Sequence, residues 1–235
     1  MIQDYMEEVI RLVDLKQNLP INESVYKGLK QAIIQGVIPV EERINEKEYA
    51  ERLNISRTPI REALRRMEEE RLVERIPGFG TVVKKITIAD AIEIFKIRKV
   101  LEILSTISAM NLMTKEDFNE LRILLEKTEE ANDRDDIQLV TKYFGDFNSM
   151  IYRFSGMPRL AQIVTSLSEY LRRFRDISLK ESPRRDKAIR EHWMIYRGML
   201  EKDEKGLTEI ITKHLEYSKE HIILEMLKGD EQNVR

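Results

Sequence analysis

Residues 43–64 read RINEKEYAERLNISRTPIREAL, and they parse as two helices joined by a tight turn. Asn45 is a preferred N-cap, and Glu48 three residues on matches a capping box. The helix it opens ends at Leu53 and Asn54, where asparagine tolerates the left-handed backbone of a sharp turn. Ser56 caps the next helix, and Pro59 falls in its first turn, where a missing N–H costs nothing. Along that second helix Ile60, Leu64 and Met67 recur at i, i+4 and i+7, an apolar stripe for a core. Arg57, Arg61 and Arg65 recur at i, i+4 and i+8 on another face, with Thr58 beside them. A helix anchored on one side and carrying fork-shaped donors on the other suits the major groove of DNA. The competing reading is a solvated helix whose arginines pair with Glu62, Glu68 and Glu69.

Working outward, a helix is expected over 24–35, with Val25, Leu29, Ile33 and Ile34 on one face, ending near Gly36. Downstream, 72–76 and 81–83 are strand candidates joined by Pro77-Gly78-Phe79-Gly80, a hairpin signal. Helix, helix, turn, helix, hairpin is the order of a winged helix-turn-helix, assigned to residues 20–85. Between 21 and 85, 13 Lys and Arg face 11 Asp and Glu, so this segment is +2 and the remainder of a −2 chain is −4. Total charge is therefore a weak argument, and the placement of the arginines is the stronger one.

The chain has 235 residues, which suits one or two domains. Hydrophobic residues make up 42%, enough for a core, which excludes a wholly disordered chain. With 40 Lys and Arg against 42 Asp and Glu, a general polybasic coat is excluded. There is no cysteine, hence no disulfide, thiolate metal site or Cys nucleophile. Asp4, Glu7 and Glu8 stand where a secretory signal would be positive, and no stretch offers the ~20 apolar residues of a bilayer span. The expectation is a cytoplasmic protein with no membrane partner. Ile2, Tyr5, Met6, Val9, Leu12 and Val13 make residues 1–19 an amphipathic N-terminal extension.

From 86 to 228 the chain is almost pure helical periodicity, with helices expected at 88–112, 115–132, 136–155, 158–178, 183–202 and 205–227. Thr114 with Asp117, and Ser182 with Pro183, are helix-start signals, and the short connections imply an all-α antiparallel bundle. The expected fold class is thus mainly α. His192 and His214 both fall on inward faces; two such imidazoles are a possible metal pair, and a single one is ordinarily a satisfied core residue. His221 is two turns beyond His214, roughly 10 Å along the axis, too far to join them. Arg98 either pairs with Glu102 at i, i+4 or turns its guanidinium to a ligand.

The run from Ser56 to Leu64, with Gly80-Thr81-Val82 downstream, resembles the GntR family of bacterial transcription regulators. The helical remainder resembles the FCD effector domain of its FadR-like branch, so the likeness covers residues 20–225. It implies that Arg57 and Arg61 contact bases, that Ser56 and Thr58 contact phosphate or bases, and that Gly78 is the wing-tip glycine at the minor groove. Lys47 stands where some members carry a DNA-contacting arginine. Arg65 and Arg75 are placed as phosphate contacts or solvent-facing charges. The likeness also makes His192 and His214 the last two ligands of a metal-binding FCD domain. The first two, an Asp and a His four residues later, are replaced here by Phe144 and Asn148. The implied ligand set is Asn148, His192 and His214, for a divalent metal, zinc or nickel first. Arg98 falls at an Arg-x-x-x-Glu position that points into the effector cavity.

Taken together, the sequence describes a homodimeric regulator that binds a palindromic operator in double-stranded DNA. No catalytic residues are expected. The helical domain would bind a small carboxylate effector, with the metal assisting. Loss of the Asp position at Phe144 favours an alternative, a metal-independent cavity for an apolar, acyl-type ligand. A more remote one is a metal-dependent hydrolase, for which no general base is in place.

Overall fold

A computed structural model describes residues 5–16 and 18–233. Ile2 of the expected N-terminal stripe lies outside them. The chain divides into two compact units, residues 1–87 and 88–235. No helix among the described residues is long and apolar enough to cross a membrane.

The first unit runs α1 (Met6–Leu12), α2 (Ile21–Gln35), β1 (Arg43–Ile44), α3 (Glu46–Leu53), α4 (Arg57–Glu69), β2 (Val73–Ile76) and β3 (Gly80–Val83). Helix α2 ends at Gly36, left-handed at φ 73°. It buries Val25, Leu29 and Ala32, while Ile33 and Ile34 of the expected stripe are only half-buried. Asn45 Oδ1 accepts from the backbone N–H of Lys47 (3.1 Å) and Glu48 (3.4 Å), and Asn54 takes up φ 53° at the turn. Ser56 occupies the N-cap of α4 in extended backbone, but its side chain makes no capping bond, contrary to the expectation. The three strands form one antiparallel sheet in the order β1-β3-β2. Val73 pairs with Val83 and Ile76 with Gly80, while Arg43 pairs with Val82. Strand β1 is an addition to the expected hairpin; two residues are too few to carry an alternating pattern.

The N-terminal extension belongs to this same unit. Met6, Val9 and Val13 are buried, and Tyr5 Oη donates to Glu42 Oε1 at 3.3 Å. A Cβ on Gly28 would lie 2.6 Å from Val13 Cα and 2.8 Å from the Leu12 carbonyl oxygen. Only glycine there lets the end of α1 rest directly on α2.

The second unit is all helix: α5 (Ile88–Leu112), α6 (Lys115–Asp133), α7 (Ile137–Phe154), α8 (Pro158–Tyr170), α9 (Arg172–Ser178), α10 (Ser182–Glu201) and α11 (Glu204–Asn233). Thr114 and Asp117 form a reciprocal capping box at the start of α6. The single helix expected over 158–178 is instead two, broken at Leu171 (φ −99°, ψ 5°), whose side chain is fully buried. No Gly or Pro lies at the break.

Candidate nucleic-acid interface and buried ligand site

Helix α4 buries Ile60, Ala63, Leu64 and Met67, each of the larger ones worth ~1.5–3 kcal/mol of apolar burial. That fixes which face remains outside, and Ser56, Arg57, Thr58, Arg61 and Arg65 are all exposed on it. Arg57 makes no hydrogen bond or ion pair among the described residues. Glu46 Oε2, at the start of α3, accepts from Arg61 Nε at 2.6 Å. Arg65 pairs with Glu69 at 2.8 Å, as the solvated-surface reading expects. Glu62 accepts instead from Asn22 (3.2 Å), so it is not a partner of the arginine stripe. Exposed pairs of this kind contribute ~0–1 kcal/mol, so a phosphate or base can displace them. Lys47 is exposed in the first turn of α3, 3.8 Å from Glu51.

Arg66 is different. Its guanidinium lies 3.6 Å from the centre of the Tyr26 ring and donates to Glu23 at 2.7 Å, tying α4 to α2. That bond holds the Glu23 carboxyl below its usual range. At the wing, Gly78 sits at φ +76° with no atom within 4 Å of where a Cβ would be, so the tip presents bare backbone. The free N–H groups at the start of α4 and this tip are the backbone donors of the surface.

In the second unit the two expected imidazoles are neighbours. The rings of His192 and His214 lie 5.1 Å apart, centre to centre. His192 stacks on Phe147 (4.3 Å, 10°) and meets Phe144 edge-on at 4.9 Å. Phe144, where the family likeness led to the expectation of a carboxylate ligand, instead packs on the imidazole of His192. Burial, then the nearby His214 and Arg184, push the His192 pKa well below its ordinary value, so the ring is neutral. Its Nδ1 is buried with no partner. His214 Nδ1 bonds Glu191 Oε2 at 2.7 Å, which leaves Nε2 as the outward nitrogen. Asn148, half-buried on α7, makes no hydrogen bond to either ring. Among the described residues no three His, Asp or Glu side chains come together to hold a metal. The residues present offer two imidazole nitrogens and do not complete a metal centre. His221 Nδ1–H donates to the Tyr217 carbonyl at 2.9 Å and stays within its own helix.

Arg98 is buried, and Glu102 Oε1 accepts from both its Nε (2.9 Å) and its Nη2 (2.8 Å). Burial disfavours its charge, but Glu102 and Tyr152 outweigh that and push its pKa up. The expected effector arginine thus already holds an intrahelical carboxylate. What the sequence reading missed is Arg184. It is 4% exposed, donates from Nη2 to Ser218 Oγ at 2.7 Å, and has Nε and Nη1 buried without a partner.

Two family models match the chain: bacterial regulatory proteins, gntR family, over residues 21–83, and the FCD domain over residues 93–217. The uncharacterized HTH-type transcriptional regulator YdhC of Bacillus subtilis (strain 168) is 27% identical over 219 residues, 92% of this chain and 97% of that protein. The HTH-type transcriptional repressor RspR of Escherichia coli (strain K12) is 23% identical over 208 residues, 88% of this chain and 91% of that protein. The solved structure of E. coli McbR/YncC superposes with a TM-score of 0.70 at 23% identity, over 88% of this chain and 99% of that one, a likeness of fold.

Proposed function

The chain is a DNA-binding transcription regulator that belongs to the GntR family and carries an FCD domain, and from that premise we propose how its residues divide the work. A homodimer binds a palindromic operator, one winged unit to each half-site. Arg57 and Arg61 reach base edges in the major groove, and Ser56, Thr58, Lys47 and the α4 N-terminus hold phosphates. The Gly78 tip lies at the minor groove. The observation that carries this is α4 itself: one face buried to the last side chain, the other a stripe of exposed arginines.

The second unit carries an apolar stripe on α5, Ile97, Val100 and Leu104 at i, i+3 and i+7, with Val100 63% exposed. Such a stripe is suited to a second copy of the same chain. Its interior takes a small carboxylate effector, which alters operator affinity by binding one conformational state better than another. No step of this scheme runs through a metal ion. The zinc or nickel expected from the family likeness is a matter for metal analysis of protein purified without chelator.

A second reading has one observation in its favour. A groove of about 410 Å³ opens beside Tyr152, Gly156, Met157, Pro158 and Ala161, a mostly apolar lining suited to an acyl chain. Lipid extraction and mass spectrometry of the purified protein would reveal such a ligand.

The test of the main reading is selection of duplexes from a randomised palindrome pool, followed by fluorescence anisotropy at about 0.15 M salt. Selected duplexes should bind at least 1,000-fold tighter than random ones, on the order of the usual specific-to-nonspecific ratio. Arg57→Ala should lose ~1–3 kcal/mol on the selected site only. No preference for any palindrome would end the proposal.

A further inference from the structure

We infer that Arg184 holds the effector's carboxylate, in a buried anion site formed by the start of α10 and by α11, with no metal between protein and ligand. This rests on the reading that the helical unit takes a small carboxylate, and it names the group that binds it.

The argument starts from two consecutive arginines in the first turns of α10. Both are buried, Arg184 at 4% and Arg185 at 1% exposure. Arg185 is closed on itself: Asn132 Oδ1 accepts from its Nε at 2.9 Å, and the carbonyls of Leu179 (3.0 Å) and Lys180 (2.8 Å) accept from its Nη1. Asp135 takes its Nη2, so every nitrogen of that guanidinium is used. Arg185 is a structural clamp on the α6–α7 turn.

Arg184 has the same burial and a single acceptor, Ser218 Oγ. Its Nε and Nη1 face no acceptor among the described residues. A buried guanidinium with idle donors is costly, and proteins keep such groups for something that arrives later. The surroundings favour an anion. The α10 N-terminus adds positive potential. The ring of Tyr217 lies 4.9 Å from the Arg184 guanidinium and 3.3 Å from the Lys187 ammonium. Among the described residues the carboxylate whose charge acts on Arg184 is Glu191, and it is engaged by His214 at 2.7 Å and Lys187 at 3.9 Å. Two cations against one carboxylate leave one positive charge, matched by one monovalent anion. His192 Nδ1 is likewise buried without a partner, and Arg184 is among the charges that disfavour protonation of that ring. Arg98, whose guanidinium already holds Glu102, has no such vacancy.

The experiment uses the full chain with acetate as the probe, in excess EDTA, at ionic strength matched with chloride, and reads the melting temperature and the acetate titration midpoint. Wild type should gain at least ~3 °C saturably. Arg184→Met should lose that gain while melting no lower than wild type without acetate, since it removes an uncompensated buried charge. Arg184→Lys, which keeps the charge but not the fork, should raise the acetate midpoint at least ~fivefold and serves if the Met variant fails to fold. If either variant folds and responds to acetate as wild type does, the Arg184 assignment falls while the carboxylate reading stands. A response that EDTA abolishes would show that a metal holds the ligand, and this inference fails. No response in wild type, with operator binding intact, would overturn both the inference and the carboxylate reading.

Discussion

Removing Arg61 tests the recognition helix where the structure is most specific. In the free protein its guanidinium is exposed and spends itself on Glu46, Nε to Oε2 at 2.6 Å, across the turn between α3 and α4. An exposed pair of that kind is worth ~0–1 kcal/mol, so Arg61→Ala should leave the unfolding midpoint almost unchanged. On DNA the same side chain has no cheap substitute: a bidentate contact to a base edge is worth ~1–3 kcal/mol, about a 5- to 150-fold loss of operator affinity. Glu46→Ala should act in the opposite direction, because it frees Arg61 and removes a negative charge from the surface; a gain of up to about fivefold is expected, shrinking as salt rises. Anisotropy titrations of operator and random duplex over a salt series separate the roles. A base contact lowers affinity for the operator alone and relaxes preference at one position, whereas a phosphate contact weakens all sequences alike and flattens the salt dependence by about one charge. Unchanged operator affinity in Arg61→Ala, with the fold intact, would refute the assignment of this face to DNA.

Three further outcomes are expected. Gly28→Ala should destabilise the whole chain by ~1–3 kcal/mol in urea, because its Cβ meets Val13 backbone at 2.6 Å; in a chain lacking residues 1–16 the same change should become neutral or stabilising through helix propensity, and equal effects in both backgrounds would show that α1 does not rest there. His192 is held neutral by burial and by the neighbouring His214 and Arg184. Its folded pKa is below the unfolded value of ~6.5, so the unfolded chain binds the extra proton and stability is lost as pH falls below about 6.5, by up to ~1.4 kcal/mol per pH unit. His192→Phe should flatten that slope in urea midpoints between pH 6.5 and 5, and parallel slopes would contradict it. If the proposed homodimer forms through the exposed stripe of α5, Val100→Glu should give a monomer in light scattering and weaken operator binding, and a dimer of unchanged stability would place the interface elsewhere.

Helix α4 was legible because several local rules agree on it: the 3.6-residue recurrence of Ile60, Leu64 and Met67, a left-handed-tolerant Asn54 before it, and Pro59 in its first turn. Strand β1 was not, since Arg43 and Ile44 are too short to show a period and exist only because β3 pairs with them. The break at Leu171 was invisible for a related reason: no Gly or Pro marks it, and the apolar periodicity runs on across it. Ser56 looked like a cap by residue type, yet its hydroxyl is left unbonded, which is what a group facing phosphate would need.

The buried site shows the same division at the level of charge. His192 and His214 lay on apolar stripes, so their inward direction could be read from spacing. That Phe144 and Phe147 pack on the His192 ring follows only from how α7 meets α10. Arg184 and Arg185 did carry a local signal. Cations in the first turn oppose the helix dipole, so two of them there need a reason from outside the helix. For Arg185 the reason is four acceptors on the neighbouring turns. For Arg184 the chain supplies one acceptor, Ser218, and leaves Nε and Nη1 unmatched. Two side chains of identical chemistry, adjacent in sequence and alike in burial, differ only in how many partners the protein provides. The difference points to a partner that is not part of the chain.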